Sequence, residues 1–499
     1  MRKAFIYIGI ILFISTFTVF GQEISKTNSL LDSFIQEAKE DWKAPGLAVT
    51  IVKNGEVLFS KGYGIKELGK NESVNTKTMF AMASTTKAFT AMAIGMLVDE
   101  AVFDWDDPVV KYFPEFQLYD PYVSSELQIR DLLCHRAGLG NTDMLWLADY
   151  SEDEILRRMR YAKPAYSFRS GYTYQNVMYL AAGKLIEKAT GIRWEDFIQQ
   201  RILDPLEMTR TVPMLKYLED KENYVSPHYN IDGSVEIIKS DYADNIGPAG
   251  SMWSCVDDMS IWIDFLLNEG KIGDKALLKP ETFSELFSPQ TIIPKSNFYP
   301  TSQLTNPNWT TYAMGWFQHD YKGRATYFHT GSLGGLVAII AMVPENDFGI
   351  YVFSNLDHAE LRHAIMYKAI DLYIDEDNSR DWNKEVLELY DGIRNRQKTR
   401  RTSMIDKRVQ NTKPSLPLDQ YAGIYRDDLY GDITISYKEN KLTLSFTSSI
   451  SGKLNHWHFD TFEVIRPEKH LKSDLMVFQL DYKGEVSGLA INGMTFKKL

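Results

Sequence analysis

The sequence predicts an α+β protein with a small all-β domain at its C-terminal end. In the larger part, residues 22–376, strand-like stretches lie near both ends, and stretches of helical periodicity lie between and after them. In residues 417–499, short alternating stretches are separated by turn residues, which is typical of a small sheet or barrel. With 499 residues, 44% of them apolar, the chain can bury a large core.

The predicted sheet begins with residues 47–64, where two alternating stretches flank Asn54-Gly55. An Asn-Gly pair in this position is the strongest short-range signal for a β-hairpin. Apolar residues at helical spacing then predict a helix over 85–102, with Thr and Ser residues at its start that can cap it.

The later part of the main domain contains a helix, two strands and a further helix. The first helix is predicted over 257–270 and ends at Gly270. The strands correspond to GLVAIIAMVP and FGIYVFSN, and residues 358–374 follow as an amphipathic helix. Residues 377–416 are highly charged and poor in apolar residues, so we expect a helix and a linker between the two domains.

Residues 1–21 have the pattern of a bacterial secretory signal peptide. Arg2 and Lys3 form a positive start, an apolar run continues to Phe20, and small residues precede a cleavage site before Gln22. The sequence therefore predicts export, to the periplasm or out of the cell, with no membrane span after cleavage. The alternative is an uncleaved anchor, because the apolar run is nearly long enough to cross a bilayer.

Charge and cysteine content narrow the possible partners. A formal net charge of −11 and a pI of about 5.4 argue against binding to nucleic acid or to anionic lipid. Cys134 and Cys255 lie in apolar surroundings, which favours buried free thiols over a disulfide. The sequence leaves the oligomeric state open.

Several common catalytic motifs are absent from the sequence. It contains no GxxxxGK[ST] or GxGxxG phosphate-binding loop, no HExxH zinc motif and no GxSxG nucleophile elbow. The sequence therefore gives little support for a phosphate-binding or zinc-dependent function.

The first candidate site element is Ser84-x-x-Lys87, which occurs once in the chain. If Ser84 opens the predicted helix, Lys87 lies one turn further on the same face and can reach the serine oxygen. A desolvated lysine has a lowered pKa and can accept the proton of a serine hydroxyl. The alternative is a helix cap followed by a solvated lysine.

The second element is Tyr174-x-Asn176, which also occurs once. A phenol can transfer a proton, and an amide can hold a substrate carbonyl. The alternative is an aromatic loop that fills the core.

The third element is His329-Thr330-Gly331, followed by Ser332, at the start of a predicted strand. A glycine-lined strand edge lets a substrate backbone approach closely. The backbone N–H of Ser332 can join that of Ser84 in an oxyanion hole. The alternative is a glycine-rich hairpin that contains a hydrogen-bonded histidine.

The three elements, in the order STTK, YQN and HTG, resemble the motifs of the penicillin-recognising serine hydrolases. Within that superfamily the likeness is to class C β-lactamases and their peptidase and esterase relatives, and it extends from roughly residue 40 to residue 375. The stretch LPLDQYAGIYRDDLYGDITI looks like the small β domain that is often appended to such hydrolases.

The resemblance implies a β-lactamase/transpeptidase-like fold, in which a helical region lies beside an antiparallel sheet flanked by helices, with the site between them. It implies that Ser84 is the nucleophile and Lys87 its activator. Tyr174 would be the partner base and the proton donor to the leaving group, and Asn176 would position the substrate. The far wall would consist of four residues, His329, Thr330, Gly331 and Ser332. No metal and no cofactor are implied.

One residue departs from the β-lactamase pattern, which has Lys-Thr-Gly where this chain has His329-Thr330-Gly331. Histidine is mostly neutral at pH 7, unless its neighbours raise its pKa so that an imidazolium meets a substrate carboxylate. We therefore expect a serine hydrolase of amides or esters, acting on D-residue peptides or related small substrates. The alternatives are a carboxylesterase or weak β-lactamase of this fold, and a non-catalytic protein that binds or senses peptidoglycan.

Overall fold

The computed structural model describes residues 23–219, 221–239, 243–273, 275–447 and 450–499. The predicted signal peptide lies outside these residues. An eight-stranded antiparallel sheet forms the centre of the larger domain. Its strands, in chain order, are β1 (Gly46–Lys53), β2 (Glu56–Gly64), β3 (Thr291–Ile292), β4 (Thr310–Tyr312), β5 (Phe317–Tyr321), β6 (Arg324–Leu333), β7 (Leu336–Val343) and β8 (Phe348–Ser354).

The spatial order of these strands is β2-β1-β8-β7-β6-β5-β4-β3, and each neighbouring pair is antiparallel. The first hairpin therefore joins the sheet beside its last strand, with Leu47 opposite Ser354. Its turn is the predicted one, because Asn54 and Gly55 have φ values of 53° and 71°. This is the left-handed conformation that an Asn-Gly hairpin turn requires.

Strands β1, β7 and β8 are buried along nearly their whole length, because both faces of the sheet are covered. Alternate residues of β7 point to opposite sides. Ala338 and Ile340 belong to the same core as Trp262, whereas Val337 belongs to the core on the other side, with Ile365. The sequences of these strands are therefore continuous apolar runs and do not alternate between apolar and polar residues.

Most helices lie between β2 and β3 in the chain and form the helical region beside the sheet. The α-helices in the described part are α1 (23–41), α2 (Lys87–Asp99), α3 (Pro121–Glu126), α4 (Met144–Leu147), α5 (Glu152–Arg158), α6 (Asn176–Thr190), α7 (Trp194–Ile198), α8 (Gly247–Gly250), α9 (Val256–Leu267), α10 (Pro280–Leu286), α11 (Ser302–Thr305), α12 (Leu361–Ile374) and α13 (Trp382–Asp406). Short strand pairs join Phe80–Ala81 to Trp253–Ser254, His228–Ile231 to Ser234–Ile237, and Lys271–Ile272 to Lys275–Ala276.

Helix α12 differs from its prediction. The sequence predicts an amphipathic helix, but the side chains from Leu361 to Tyr373 are all buried. The reason is α13, which packs against α12; the indole N–H of Trp382 donates to Asp371 Oδ2 over 2.7 Å. The charged stretch after the sheet therefore contains a helix that covers the polar side of α12.

The C-terminal residues form a closed antiparallel barrel, which confirms the predicted all-β domain. Closure pairs every described strand of the barrel on both sides, so none of them is left as an open edge. Tyr421, Tyr425, Met476, Leu489 and Phe496 have no exposed surface and belong to the barrel core. The strands are β9 (Gly423–Asp427), β10 (Gly431–Lys438), β11 (Lys441–Ser445), β12 (Ser451–His458), β13 (Thr461–Ile465), β14 (Asp474–Leu480), β15 (Val486–Ile491) and β16 (Met494–Lys498).

The two cysteines, Cys134 and Cys255, are free and buried. Burial raises the pKa of each thiol to about 12. The favoured prediction of buried free thiols is confirmed, and both are protonated at neutral pH. Across the residues that the structure describes, no helix combines the length and apolar content that crossing a bilayer requires.

Candidate active site

Ser84 lies in the 3-10 turn Ala83–Thr86, which leads directly into α2. Ala83 has a φ of 47°, a left-handed conformation that is strained for a residue with a side chain. The N–H of Met82 donates to the Met252 carbonyl over 2.8 Å and anchors the entrance of the turn. Ser84 is partly exposed, whereas the other three residues of the turn are buried. The turn therefore presents the serine hydroxyl at an accessible point.

Lys87, the first residue of α2, is completely buried, and its Nζ contacts three oxygens. The distances are 3.2 Å to Ser84 Oγ, 2.7 Å to Asn176 Oδ1 and 2.8 Å to the Ala249 carbonyl. Burial lowers the pKa of Lys87 well below its usual value, and the negative charge of Asp143 acts against that shift. The structure thus brings Ser84 and Lys87 together as their spacing predicts.

These contacts decide how a neutral Lys87 amine is oriented. Amide and backbone carbonyl oxygens accept hydrogen bonds and cannot donate them. The two N–H groups of a neutral amine therefore point to Asn176 and to the Ala249 carbonyl. Its lone pair then faces the hydroxyl of Ser84, which is the direction a base needs.

Tyr174 packs against the same pair. Lys87 Nζ lies 4.7 Å from the centroid of its ring. The Tyr174 hydroxyl is buried and has no hydrogen-bond partner among the residues described. Burial raises the pKa of Tyr174 well above its usual value, and the nearby Ser84 hydroxyl opposes the rise. Tyr174 is therefore a neutral phenol with an unused donor beside the serine.

Asn176 is the first residue of α6, and both ends of its amide contact protein groups. Oδ1 accepts from Lys87, and Nδ2 donates to Asp143 Oδ1 over 2.9 Å. The structure shows Asn176 as a partner of Lys87, and its predicted contact with substrate stays a prediction.

Gly331 packs against the turn that carries Ser84. A Cβ atom at Gly331 would lie 2.0 Å from the Met82 carbonyl oxygen and 3.2 Å from Ala83 Cβ. Glycine is therefore required by the close approach of β6 to this turn. The close approach of the Met82 backbone accounts for this glycine, and the expected contact of Gly331 with a substrate backbone stays a prediction.

The neighbours of Gly331 have different surroundings. Thr330 is buried, and its hydroxyl is hydrogen-bonded to that of Tyr299. Ser332 is exposed, and its Oγ accepts a hydrogen bond from Arg362 over 3.0 Å. The expected donation from the Ser332 N–H to an oxyanion stays a prediction.

His329 is only 1% exposed, and both of its ring nitrogens are engaged. Nδ1 lies 2.7 Å from the Thr330 carbonyl and Nε2 lies 2.9 Å from the Tyr312 hydroxyl. Because a carbonyl only accepts, Nδ1 carries the proton and Nε2 accepts from Tyr312. Burial lowers the pKa of His329 to about 3. This neutral, fully bonded ring gives no support to an imidazolium that meets a substrate carboxylate.

Two further buried residues adjoin the site, and sequence reasoning did not find them. The first is His135, whose ring centroid lies 4.3 Å from that of Tyr174 and 4.4 Å from that of Tyr312. Its Nδ1 accepts the backbone N–H of Gln175 over 3.1 Å, and burial lowers its pKa well below the usual value. His135 is therefore a neutral ring that supports Tyr174 from behind. Its only sequence signal is a histidine within the apolar stretch DLLCHRAGL.

The second is Arg362, on α12. Its guanidinium is ion-paired with Glu360 at 3.1 Å. Nη1 also donates to the Gly331 carbonyl over 2.5 Å and to Ser332 Oγ over 3.0 Å. Arg362 thus fastens the third element from the side of α12. An arginine on a helix predicted to be amphipathic gives no sign of this role.

Acyl transfer to serine requires a nucleophile, a base and a proton donor, and these three groups meet at one point. Ser84 supplies the hydroxyl, Lys87 lies at hydrogen-bond distance from it, and Tyr174 holds the unused donor. The arrangement can therefore carry out acylation of the serine.

Two protein-family models match the chain, one over each of its two domains. The model of the β-lactamase family matches residues 31–373, which include every residue of the candidate site. A second model, described as a domain of unknown function (DUF3471), matches residues 407–499, which include the barrel.

Among curated proteins, two unguisins hydrolases are similar to this chain. The protein from Aspergillus campestris is 28% identical over 82% of this chain and 77% of its own length. The protein from Aspergillus violaceofuscus is 27% identical over 83% of this chain and 78% of its own. Protein flp of Staphylococcus aureus is 27% identical over 66% of this chain and 63% of its own.

Two solved structures share the fold. An octameric penicillin-binding protein homologue from Pyrococcus abyssi has a TM-score of 0.60 at 21% identity, over 94% of this chain and 99% of that one. SurE has a TM-score of 0.58 at 17% identity, over 96% of this chain and 100% of that one.

Proposed function

The chain belongs to the β-lactamase family of serine hydrolases, and on that premise we propose that it cleaves amide or ester bonds through an acyl-Ser84 intermediate. We further propose that it is exported, because residues 1–21 have the charge, apolar core and small residues of a signal peptide.

In the acylation step, Ser84 Oγ attacks the substrate carbonyl carbon and its proton passes to the Lys87 amine. The N–H groups of Ser84 and Ser332 stabilise the oxyanion of the tetrahedral intermediate. The bond to the leaving group then breaks as Tyr174 donates its proton to the departing nitrogen or oxygen, and the Lys87 ammonium returns a proton to Tyr174. Water releases the acyl group in a second cycle with the same proton transfers.

One observation carries this proposal, the 3.2 Å contact between Lys87 Nζ and Ser84 Oγ. The other two contacts of the amine are with oxygens that only accept, so its lone pair is free for the serine proton. Burial lowers the pKa of Lys87 and so favours the neutral form that a base requires.

The proposed substrates are peptides that contain D-residues and related small amides or esters. Two similar proteins are hydrolases of unguisins, and one structural neighbour, SurE, was solved with D-Leu. The neutral His329 offers no charge to a substrate carboxylate, and this favours an esterase over a β-lactamase as the second candidate.

A substrate panel tests the proposal, with D-amino-acid peptides, p-nitrophenyl esters and a chromogenic cephalosporin as its three arms. We expect hydrolysis in the first or second arm, little in the third, and none by Ser84→Ala in any arm. Full hydrolysis by Ser84→Ala would sink the proposal, and rapid turnover of the cephalosporin alone would replace the proposed substrate class with β-lactams.

A further inference from the structure

A carboxylate that the proposed mechanism does not use lies behind Asn176. Asp143 Oδ1 accepts from Asn176 Nδ2 over 2.9 Å, while Asn176 Oδ1 accepts from Lys87 Nζ over 2.7 Å. The three side chains form a hydrogen-bonded chain that begins at the proposed base and ends at a negative charge.

This carboxylate decides which end of the Asn176 amide faces Lys87. An ionised carboxylate accepts hydrogen bonds and cannot donate, so Asp143 holds Nδ2 and leaves Oδ1 for the lysine. With the amide reversed, its NH₂ group would face the amine and compete with Ser84 for the lone pair. Asp143 therefore keeps the lone pair of Lys87 directed at Ser84.

Asp143 is itself held by a short series of contacts. Its Oδ1 accepts the indole N–H of Trp146 over 3.1 Å. The backbone carbonyls of Trp146 and Tyr150 both accept from Asn245 Nδ2, at 2.9 Å and 3.1 Å. The segment from Asp143 to Tyr150 is therefore tied together by one amide.

The far end of this segment is fixed by the C-terminal barrel. The Tyr150 hydroxyl donates to the Tyr430 carbonyl over 2.8 Å, in the turn between β9 and β10. A Cβ atom at Gly431 would lie 2.2 Å from the Tyr150 hydroxyl oxygen, so the turn closes directly on this side chain. The barrel thus contacts the candidate site through a continuous set of bonds.

We propose that Asp143 is a positioning residue for Lys87, and that the barrel holds Asp143 in place through Tyr150. The inference rests on the proposed function, in which Lys87 is the base. It assigns the barrel a part in catalysis without requiring it to touch the substrate.

The charge of Asp143 also affects the titration of Lys87. The titratable groups that face the Lys87 amine are His135, His329, Tyr174, Tyr179 and Asp143. The first four are neutral at pH 7, because burial lowers the pKa of both imidazoles and raises that of both phenols. Asp143 is therefore the charge that sustains the pKa of Lys87 against burial, and its removal lowers that pKa further.

The test compares the wild type with Asp143→Asn, Tyr150→Phe and the double variant. Lys87 is titrated by NMR of protein labelled with ¹³Cε-lysine, its signal being assigned with Lys87→Met. The rate at which a fluorophosphonate labels Ser84 is measured over the same pH range. The control is Asp153→Asn, which removes an exposed carboxylate that is paired with Lys184.

We expect Asp143→Asn to lower the midpoint of the Lys87 titration and to slow labelling on the alkaline plateau by about tenfold. Tyr150→Phe slows labelling in the wild-type background and adds nothing in the Asp143→Asn background, because both changes act on one contact. Asp153→Asn changes neither quantity.

An unchanged Lys87 midpoint and labelling rate in Asp143→Asn would overturn the inference. An equal loss from Tyr150→Phe in both backgrounds, or no loss from Tyr150→Phe alone, would overturn the part assigned to the barrel. The second outcome keeps the test decisive if Asp143→Asn does not fold. Failure of the proposed function is a separate result: Ser84 of the wild type is then not labelled, while the Lys87 titration is still measurable.

Discussion

The Nε2 atom of His329 accepts a hydrogen bond from the Tyr312 hydroxyl, 2.9 Å away, on the buried side of β6. The other ring nitrogen is bonded to the carbonyl of Thr330. Where a β-lactamase would present a lysine charge, this chain has a neutral ring built into its core. The protein therefore has no fixed positive charge at this position with which to bind a carboxylate.

His329 is expected to stay neutral from pH 5 to pH 8. Burial lowers its pKa to about 3, and each nitrogen already has a partner. NMR titration of the nine histidines, with His329→Asn for assignment, measures this directly. A midpoint above pH 5 for the His329 signal would restore the imidazolium role.

Gly331→Ala is expected to displace the turn that carries Ser84. The added Cβ would lie 2.0 Å from the Met82 carbonyl oxygen. Both contacting groups belong to the backbone, of β6 and of the turn, so neither can move away without disturbing its own hydrogen bonds. We expect the free energy of unfolding to fall by about 3 kcal/mol and kcat/KM to fall by a factor of about 10². Urea unfolding and steady-state kinetics measure the two effects.

Gly392→Ala, on α13, where the added Cβ would meet the side chain of Arg396 at 3.4 Å, is the matched control for that variant. It should gain slightly in stability, because alanine is the better helix former, and should leave kcat/KM unchanged. Full activity of Gly331→Ala would mean that the contact between β6 and the turn does not position Ser84.

Lys87→Met is expected to abolish the base while keeping the fold. General-base catalysis contributes about 10² to 10⁴ in rate, so hydrolysis should fall by that factor. Hydrolysis on the panel substrates measures the loss. Retained hydrolysis at the wild-type rate would show that another group takes the serine proton.

The same substitution makes a prediction about stability and pH. The folded-state pKa of Lys87 lies well below the ordinary 10.5, so the unfolded chain binds more protons between these two values. The wild type therefore gains stability as pH rises through this interval, and Lys87→Met lacks that gain. Urea unfolding at pH 7 and at pH 10 measures the free energy of unfolding of both proteins. The value for the wild type, relative to that for Lys87→Met, should be higher at pH 10 than at pH 7. A difference that does not change with pH would contradict a buried, neutral Lys87.

Arg362→Met is expected to destabilise the protein by about 3 to 5 kcal/mol, because it leaves the buried Glu360 carboxylate without its cationic partner and, among the described residues, with only His363 Nδ1 bonded to it, at 2.8 Å. Glu360→Gln in the same chain should recover part of that loss. Urea unfolding of the single and double variants measures both. A loss below about 1 kcal/mol for Arg362→Met would show that the ion pair does not fasten the third element.

The features that the sequence predicts correctly depend on neighbours close in the chain. Ser84 and Lys87 are three residues apart at the start of a helix, so helical geometry alone brings them together. Asn54 and Gly55 specify their hairpin turn by their own backbone preferences. The alternation of residues 417–499 similarly predicts strands, although only the pairing of the first with the last closes the barrel.

The features that sequence reasoning missed depend on contacts between distant parts of the chain. Gly331 is needed because Met82 approaches it, and no local pattern contains that information. Arg362 is buried because its guanidinium packs on the sheet, where it donates to the Gly331 and Ala338 carbonyls, so the periodicity of α12 alone is misleading. His329 is neutral because Tyr312 and the surrounding core enclose it, which its motif does not reveal.

Acyl transfer through Ser84 is tested most directly by the intact mass of the protein after treatment with a fluorophosphonate. We expect one adduct on the wild type, located at Ser84 by peptide mapping. We expect no adduct on Ser84→Ala and strongly slowed labelling of Lys87→Met at neutral pH. An unlabelled wild type, or an adduct that persists in Ser84→Ala, would contradict acyl transfer through this serine.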